Sequence, residues 1–247
     1  GATGWGWDSL FPYFLKIENQ SRGPDDYHAV GGPLNVSDCD NRSEVWSSFI
    51  DSAINLGIPR NHDFNGAKQE GVGYYQTTVH HGRRSSASTA YLKPVRSRPN
   101  LQVITGALVE KIRFDGRRAV GASYVKDRQR HQIDCNGEVL LCGGAINSPQ
   151  LLMLSGIGPA QHLQQMGIPV RVDAPQVGKN LQDHLNLRLT YRLNRPISFN
   201  DQYHSPYHKL RIGLHYLLQR GGPIAYPTAQ VGLFTRSAAD IDRPDIQ

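Results

Sequence analysis

The chain has 247 residues, a formal net charge of +6 and a hydrophobic content of 38%; its mean hydropathy is -0.47 and its isoelectric point is near 9.3. That length admits one large domain or two modest ones with a sizeable core. No run approaches the ~20 apolar residues of a membrane span.

Gly1 to Phe14 hold neither a basic nor an apolar signal region, and no initiator Met precedes them, so a start inside a longer protein is expected. The basic residues, among them Arg83-Arg84, Arg117-Arg118, Arg128 and Arg130, are scattered over predicted turns with acids nearby. A solvated surface fits them better than a nucleic-acid groove, which leaves a basic anion-binding module as the weakest functional reading. Cys39, Cys135 and Cys142 show no metal spacing and no paired framework, which points to reduced thiols in a cytoplasmic setting. His80-His81 would point apart on a strand and suit a loop surface, so no metal is expected.

In chain order, Asp8 or Ser9 is expected to cap a short helix through Leu10, Tyr13, Phe14 and Ile17. Pro12 limits it to an early turn or kinks it, and the aromatics read as core. Ser21 to Asp38 reads as loop with a short strand at Pro33 to Val36. Asn41 to Leu56 is an amphipathic helix with Val45, Phe49, Ile50, Ala53, Ile54 and Leu56 on one face, ended by Gly57 and Pro59. Val72 to Val79 is a strand, and Ser85 to Leu92 a short helix broken by Pro94. Leu101 to Ile104 is a short strand. Ala107 to Phe114, the turn Asp115-Gly116 and Ala119 to Val125 form a hairpin, to which His131 to Asp134 add a third strand.

The stretch from Glu138 to His184 organises the rest. Val139 to Cys142 is a continuous apolar run that suits a strand covered on both faces. Gly143-Gly144-Ala145 turns the backbone tightly, Ser148 is placed to cap a helix, and Pro149 fits its first position. A second short helix, another strand and a polar loop follow. A strand, glycine turn and helix start of this kind favour an anion such as a diphosphate. The same unit occurs in parallel sheets that bind nothing. There is no GxGxxG in the chain. Leu185 to Leu193 alternates as a strand, Tyr207 to Gln219 is a helix with Leu210, Leu214, Leu217 and Leu218 inward, and Ala229 to Thr235 is a strand. His204 and His208 share a face at a spacing of four, which alone is weak for a metal.

GGAINSPQLLMLSGIGP, from Gly143 to Pro159, resembles the second sequence motif of the glucose–methanol–choline (GMC) family of flavin oxidoreductases. GWGWDSLFPYFLKIEN, DFNGAKQEGVGYYQ, GRRSSASTAYLKPV, RPNLQVITGALVEKIRFDGRRAVGASYV, VGKNLQDH and GPIAYPTAQVGLFTRS resemble other family blocks in the family's order. The resemblance implies a central fragment lacking the family's N-terminal dinucleotide motif and its C-terminal catalytic segment. The implied fold is α/β, or α+β overall: a partial FAD/NAD(P)-binding domain with a β-meander excursion, plus part of an antiparallel-sheet substrate domain. The implied organisation is residues 1–30 as a connecting segment, 31–80 and 185–247 as substrate-domain parts, and 81–184 as the central part of the FAD-binding domain.

The implied cofactor is FAD. Val109 matches a valine whose main chain meets the adenine ring, which suits a backbone N–H and C=O reading a base edge. Gly143, Gly144, Ala145 and Ser148 would lie by the ADP half of the flavin. Asn180 and Asp183 are structural hydrogen-bonders first and cofactor neighbours second. Gln230 matches an acidic residue that holds the trimethylammonium group in choline-oxidising members; being neutral, it would deprive a cation of its Coulomb partner. The family's chemistry uses a histidine base while the carbinol hydride passes to flavin. None of the histidines here, His162, His184, His204, His208 or His215 included, matches that block, so no catalytic residue is expected in this chain.

The resemblance therefore implies part of a FAD-dependent oxidoreductase that converts an alcohol to an aldehyde, its partner a small-molecule alcohol, choline-dehydrogenase-like in sequence but leaning to an uncharged substrate. Two further readings stand beside it. One is a non-catalytic remnant with no activity of its own; the other is a hydroxynitrile-lyase-type member of the same family.

Overall fold

Glycine and proline punctuate the chain into short elements, and the computed structural model, which describes residues 3–247, divides them between two units. One unit comprises Gly1–Leu101 and Thr190–Gln247; the other is Gln102–Leu189.

In the first unit, α1 (Trp7–Ile17) has Gly6 at its N-cap, and no side chain caps it. Asp8 lies within the first turn, where its charge meets the helix dipole, rather than at the cap. Pro12 is accommodated inside the helix. The expected aromatic core does not form: Trp7, Tyr13 and Phe14 are 59%, 64% and 54% exposed. β1 (Glu18–Gln20) and β2 (Leu34–Val36) pair in parallel. α2 (Glu44–Asn55) is capped by Ser43, whose Oγ accepts from Trp46 N at 3.4 Å. It buries Ile50 and Ala53, while Phe49, Ile54 and Leu56 stay exposed.

That face of α2 meets Val72 on β3 (Gly71–Tyr74), which pairs antiparallel with β11 (Val231–Phe234), far along the chain. Ile58, Tyr74, Val231 and Leu233 close the core. Gly73 is required here, because a Cβ would overlap the Asn61 carbonyl oxygen. The single strand expected over Val72 to Val79 is interrupted. Thr77 leaves the line to exchange main-chain bonds with Ser37 at 2.7 and 2.9 Å, and the chain resumes as β4 (Val79–His80).

β4 turns through His81 and Gly82, both at positive φ, into β5 (Arg83–Arg84). A π-helical turn, Ser88–Leu92, then runs into α3 (Lys93–Val95). Pro94 does not break this segment; it sits in the first turn of α3, where its missing N–H costs nothing. No strand forms at Leu101 to Ile104.

α6 (Phe199–His204) and α7 (Pro206–Gln219) are separated by Ser205, which caps α7. His204 and His208 therefore sit on different helices and share no face. The expected inward leucines of α7 are exposed: Leu210 64%, Leu214 48%, Leu217 65% and Leu218 80%. No element among the described residues covers that face. Leu185 to Leu193 likewise forms no strand, and Leu185, Leu187 and Tyr191 are largely exposed.

The second unit is built on a meander in the order β6 (Leu108–Asp115), β7 (Arg118–Lys126), β8 (Gln129–Asp134). The β7–β8 turn uses Asp127 and Arg128, both at positive φ, a type I′ geometry without glycine. Arg113 and Asp134 form an ion pair across the meander. α4 (Gly144–Leu154) packs beside β6, followed by β9 (Ile157–Gly158), α5 (Ala160–Gln165) and β10 (Val172–Asp173), with β9 and β10 parallel. Leu163 of α5 is fully buried. Ser155 joins α4 to the meander: its Oγ accepts from Ile112 N at 2.8 Å and donates to Leu151 O at 2.6 Å.

The expected buried strand Val139 to Cys142 is not formed. Leu140 is 78% exposed and Cys142 is exposed, because no strand among the described residues lies alongside to pair with this run. The fold is mixed α/β, combining short parallel pairings with separate antiparallel sheets. Among the described residues no helix is long and apolar enough to cross a membrane.

Candidate functional site

The glycine turn lies in the second unit. α4 begins at Gly144, whereas a Ser148 cap would start it at Pro149. Ser148 is inside the helix, where its Oγ accepts from Gly143 N at 3.1 Å, and Pro149 lies one residue further in. The expected Ser148 cap and Pro149 first position are thus both corrected. The glycine pair starts the helix itself, and Ser148 reaches back to hold the turn.

Gly144 has a φ of 80°, open to glycine and strained for other residues, and a Cβ there would meet nothing within 4 Å. At Gly143 a Cβ would press on Asn147 Cβ at 3.2 Å and Ser148 Oγ at 3.3 Å. No side chain caps the α4 start, so its first N–H groups face outward.

Beside this start runs a groove of about 670 Å³, between Ala145, Ile146 and Met153 of α4 and Lys179, Asn180 and Leu181 of the following loop. Lys179 is the one charged residue lining it. Asn180 holds a positive φ of 58°, and its Nδ2 donates to Gln176 Oε1 at 3.1 Å. Asp183 does not line the groove; its Oδ1 accepts from His184 N at 2.8 Å. Val109 lies on β6 opposite Tyr124, 43% exposed, and is also outside the groove. The structure thus brings Ala145 and Asn180 to one groove. It leaves Gly143, Gly144 and Ser148 at the adjoining turn, and Val109 and Asp183 apart. An uncapped helix start, an unobstructed glycine and a lysine beside an apolar wall fit a ligand that carries a diphosphate and a flat ring.

Gln230 lies in the first unit, just before β11. Its main-chain oxygen accepts from Tyr75 N at 2.9 Å. The side chain is 4% exposed, and its Oε1 is buried without a hydrogen-bond partner. It lines a pocket of about 350 Å³ with Asn41, Trp46, Phe199, Asn200 and Thr228, and no charged residue is among the lining. Glu44 stands next to this pocket in sequence but is spent on Arg195, which grips it at 2.8 and 3.0 Å. The wall from α6 is fixed by a capping box in which the Ser198 hydroxyl and N–H donate to Asp201. Those bonds hold the Asp201 carboxyl below the usual carboxylate range. The Glu44–Arg195 pair escaped the sequence reading, since residues 151 apart carry no local signal of contact.

A mixed α/β fold with a glycine-turn helix start and a separate neutral pocket defines a class of ligand-binding proteins rather than one protein. Comparison with known proteins narrows it. The family model described as GMC oxidoreductase, that of the family's N-terminal domain, matches residues 1–186. The chain belongs to this family. The match corrects the expectation that the chain is a central fragment lacking the N-terminal dinucleotide-binding part, since the N-terminal domain is what residues 1–186 match.

The chain is 43% identical over 247 residues to the mitochondrial choline dehydrogenase of Mus musculus, covering 100% of this chain and 41% of that protein. It is 41% identical over 251 residues to an alcohol dehydrogenase [acceptor] of Pseudomonas putida, covering 100% of this chain and 45% of that protein. Among solved structures, a FAD-dependent oxidoreductase from Chaetomium thermophilum superposes with a TM-score of 0.82 at 28% identity, over 91% of this chain and 42% of that one. The chain spans less than half the length of these curated relatives.

Proposed function

We propose that these residues belong to a FAD-dependent oxidoreductase that converts an uncharged alcohol to its aldehyde. In this reading, residues 81–184 supply part of the flavin domain, and residues 31–80 and 185–247 supply parts of the substrate domain. The uncapped glycine turn that opens α4 carries the proposal. Gly143, Gly144 and Ala145 would lie against the diphosphate, Gly144 and Ala145 presenting main-chain N–H groups, while Ser148 would hold the turn through Gly143 N. Val109 would read the adenine edge through its main chain. Asn180 and Asp183 would be neighbours of the cofactor from the loop after β10. When bound, FAD supplies the two-electron acceptor for the carbinol hydride.

Gln230 lies on the substrate side. Its side chain lines the pocket and keeps that wall neutral. A pocket without a carboxylate offers a quaternary ammonium no Coulomb partner, and this favours an uncharged alcohol over choline. We assign no catalytic base to the residues of this chain.

The test is turnover by the full-length protein loaded with FAD, with an uncharged primary alcohol and choline compared under one electron acceptor. The reading expects the larger kcat/KM for the uncharged alcohol. A larger value for choline refutes the substrate assignment, and absence of bound flavin refutes the cofactor assignment.

A further inference from the structure

His28 is a histidine outside both places described above, and both of its ring nitrogens face carboxylates. Nδ1 lies 3.0 Å from each oxygen of Glu18, and Nε2 lies 2.8 Å from Asp63 Oδ2. The residue is 6% exposed. A neutral imidazole has a single N–H and can donate to one carboxylate only; two satisfied at once require the imidazolium.

The surroundings are consistent with a cation. Asp25, on the same loop, accepts from the N–H groups of Tyr27 at 2.7 Å and His28 at 2.9 Å. Gln20, neutral, places its Nε2 3.4 Å from Nδ1, a contact that is not a hydrogen bond when Nδ1 carries a proton. Among the described residues no Lys or Arg pairs with Glu18, Asp25 or Asp63. His28 thus ties together three separate pieces: its own loop, the junction of α1 with β1 through Glu18, and the 61–66 loop through Asp63.

The same loop borders a cavity of about 500 Å³. Tyr27 and His28 line it together with Trp7, Phe11 and Phe64. We propose that residues 24–28 form a strap locked by a buried His28 imidazolium held between Glu18 and Asp63, and that loss of this proton frees the strap from Asp63 and opens the aromatic cavity.

Burial on its own would lower the proton affinity of His28; the hydrogen bonds and charges of Glu18 and Asp63 outweigh it and raise the pKa above its ordinary 6.5. For a raised histidine, the stabilisation is fully present below 6.5 and is lost as pH rises through the folded value. The strap is therefore closed below 6.5 and opens as pH rises through the folded value.

The experiment uses the full-length protein with 13C-labelled histidine rings, the His28 resonance being identified by its loss in His28→Gln. Should that variant not fold, the resonance is identified by its displacement in Asp63→Asn. The midpoint is expected above 6.5 in the wild type and nearer 6.5 in Asp63→Asn. Hydrogen exchange of residues 25–28, corrected for the intrinsic pH effect, is expected to lose protection by about tenfold for each pH unit by which the midpoint exceeds 6.5. A midpoint at or below 6.5 overturns the proposal, as does protection that stays constant through the titration. So does perturbation of His28 by zinc below pH 6.5. Asp25, His28 and Asp63 offer donor atoms within 4.8 Å of one another, and a metal there needs the Nε2 lone pair that the clamp has protonated.

Discussion

Replacing Ser155 by Ala tests how α4, and with it the glycine turn, is anchored to the meander. Ser155 is 3% exposed, and its Oγ is the acceptor for Ile112 N at 2.8 Å. Alanine keeps the backbone and nearly the same volume but leaves the Ile112 N–H without its acceptor, in a place water reaches poorly. The Leu151 carbonyl, which receives the Ser155 hydroxyl at 2.6 Å, retains its helical bond from Ser155 N at 3.1 Å and loses less. One orphaned buried donor costs about 1–3 kcal/mol. The residue that loses its partner can be read directly. In the full-length protein, hydrogen exchange at Ile112 should speed up by roughly 5- to 150-fold in Ser155→Ala, the equivalent of that energy at about 1.4 kcal/mol per tenfold. Ser123 and the other amides of β7 keep their cross-strand partners, and they should change far less. Wild-type exchange at Ile112 in the variant would refute the claim that this hydroxyl ties α4 to β6.

Three further outcomes follow from the geometry. Gly144→Ala forces a residue with a Cβ to a φ of 80° at a cost of about 1–2 kcal/mol without a clash, so flavin binding to the full-length protein should weaken roughly 5- to 30-fold in a fluorescence titration. Leu163→Ala removes a fully buried side chain and should cost about 2–5 kcal/mol, read as an earlier midpoint in urea or thermal unfolding. Gln230→Glu places a carboxylate in a pocket with no other charge, and the ratio of kcat/KM for choline over an uncharged alcohol should rise about 10- to 100-fold.

Elements whose signals are local were legible. The α2 helix shows its apolar face and its Gly57 stop, although it starts at Glu44 behind a Ser43 cap rather than at Asn41, and the meander carries its Asp115-Gly116 turn. β11 was read as a strand, but its partner β3 lies well over 100 residues away, and nothing in either segment announces the other. Apolar patterning located the buried Ile50 and Ala53 of α2 but misled in three other places. Val139 to Cys142, Leu185 to Leu193 and the leucines of α7 have the patterns of covered elements, yet a pattern states what a segment would bury and not whether anything lies against it. At the glycine turn the sequence marked the place but misjudged the start. A serine before a proline is a strong cap signal, and the glycine pair preceding it proved the earlier point at which the helix could begin. Gln230 came to notice through family resemblance, whereas its buried, unpaired oxygen is visible only in three dimensions. Histidine spacing was equally uninformative. His204 and His208 are divided by a helix boundary, while His28, unremarkable in sequence, meets two carboxylates from distant segments.

The central claim, a flavin-dependent alcohol oxidation, is tested most directly by the visible absorption spectrum of the purified full-length protein before and after anaerobic addition of an uncharged primary alcohol. Flavin bands that bleach on addition are expected. A colourless protein that takes up no FAD, or a bound flavin that no alcohol reduces, would contradict it.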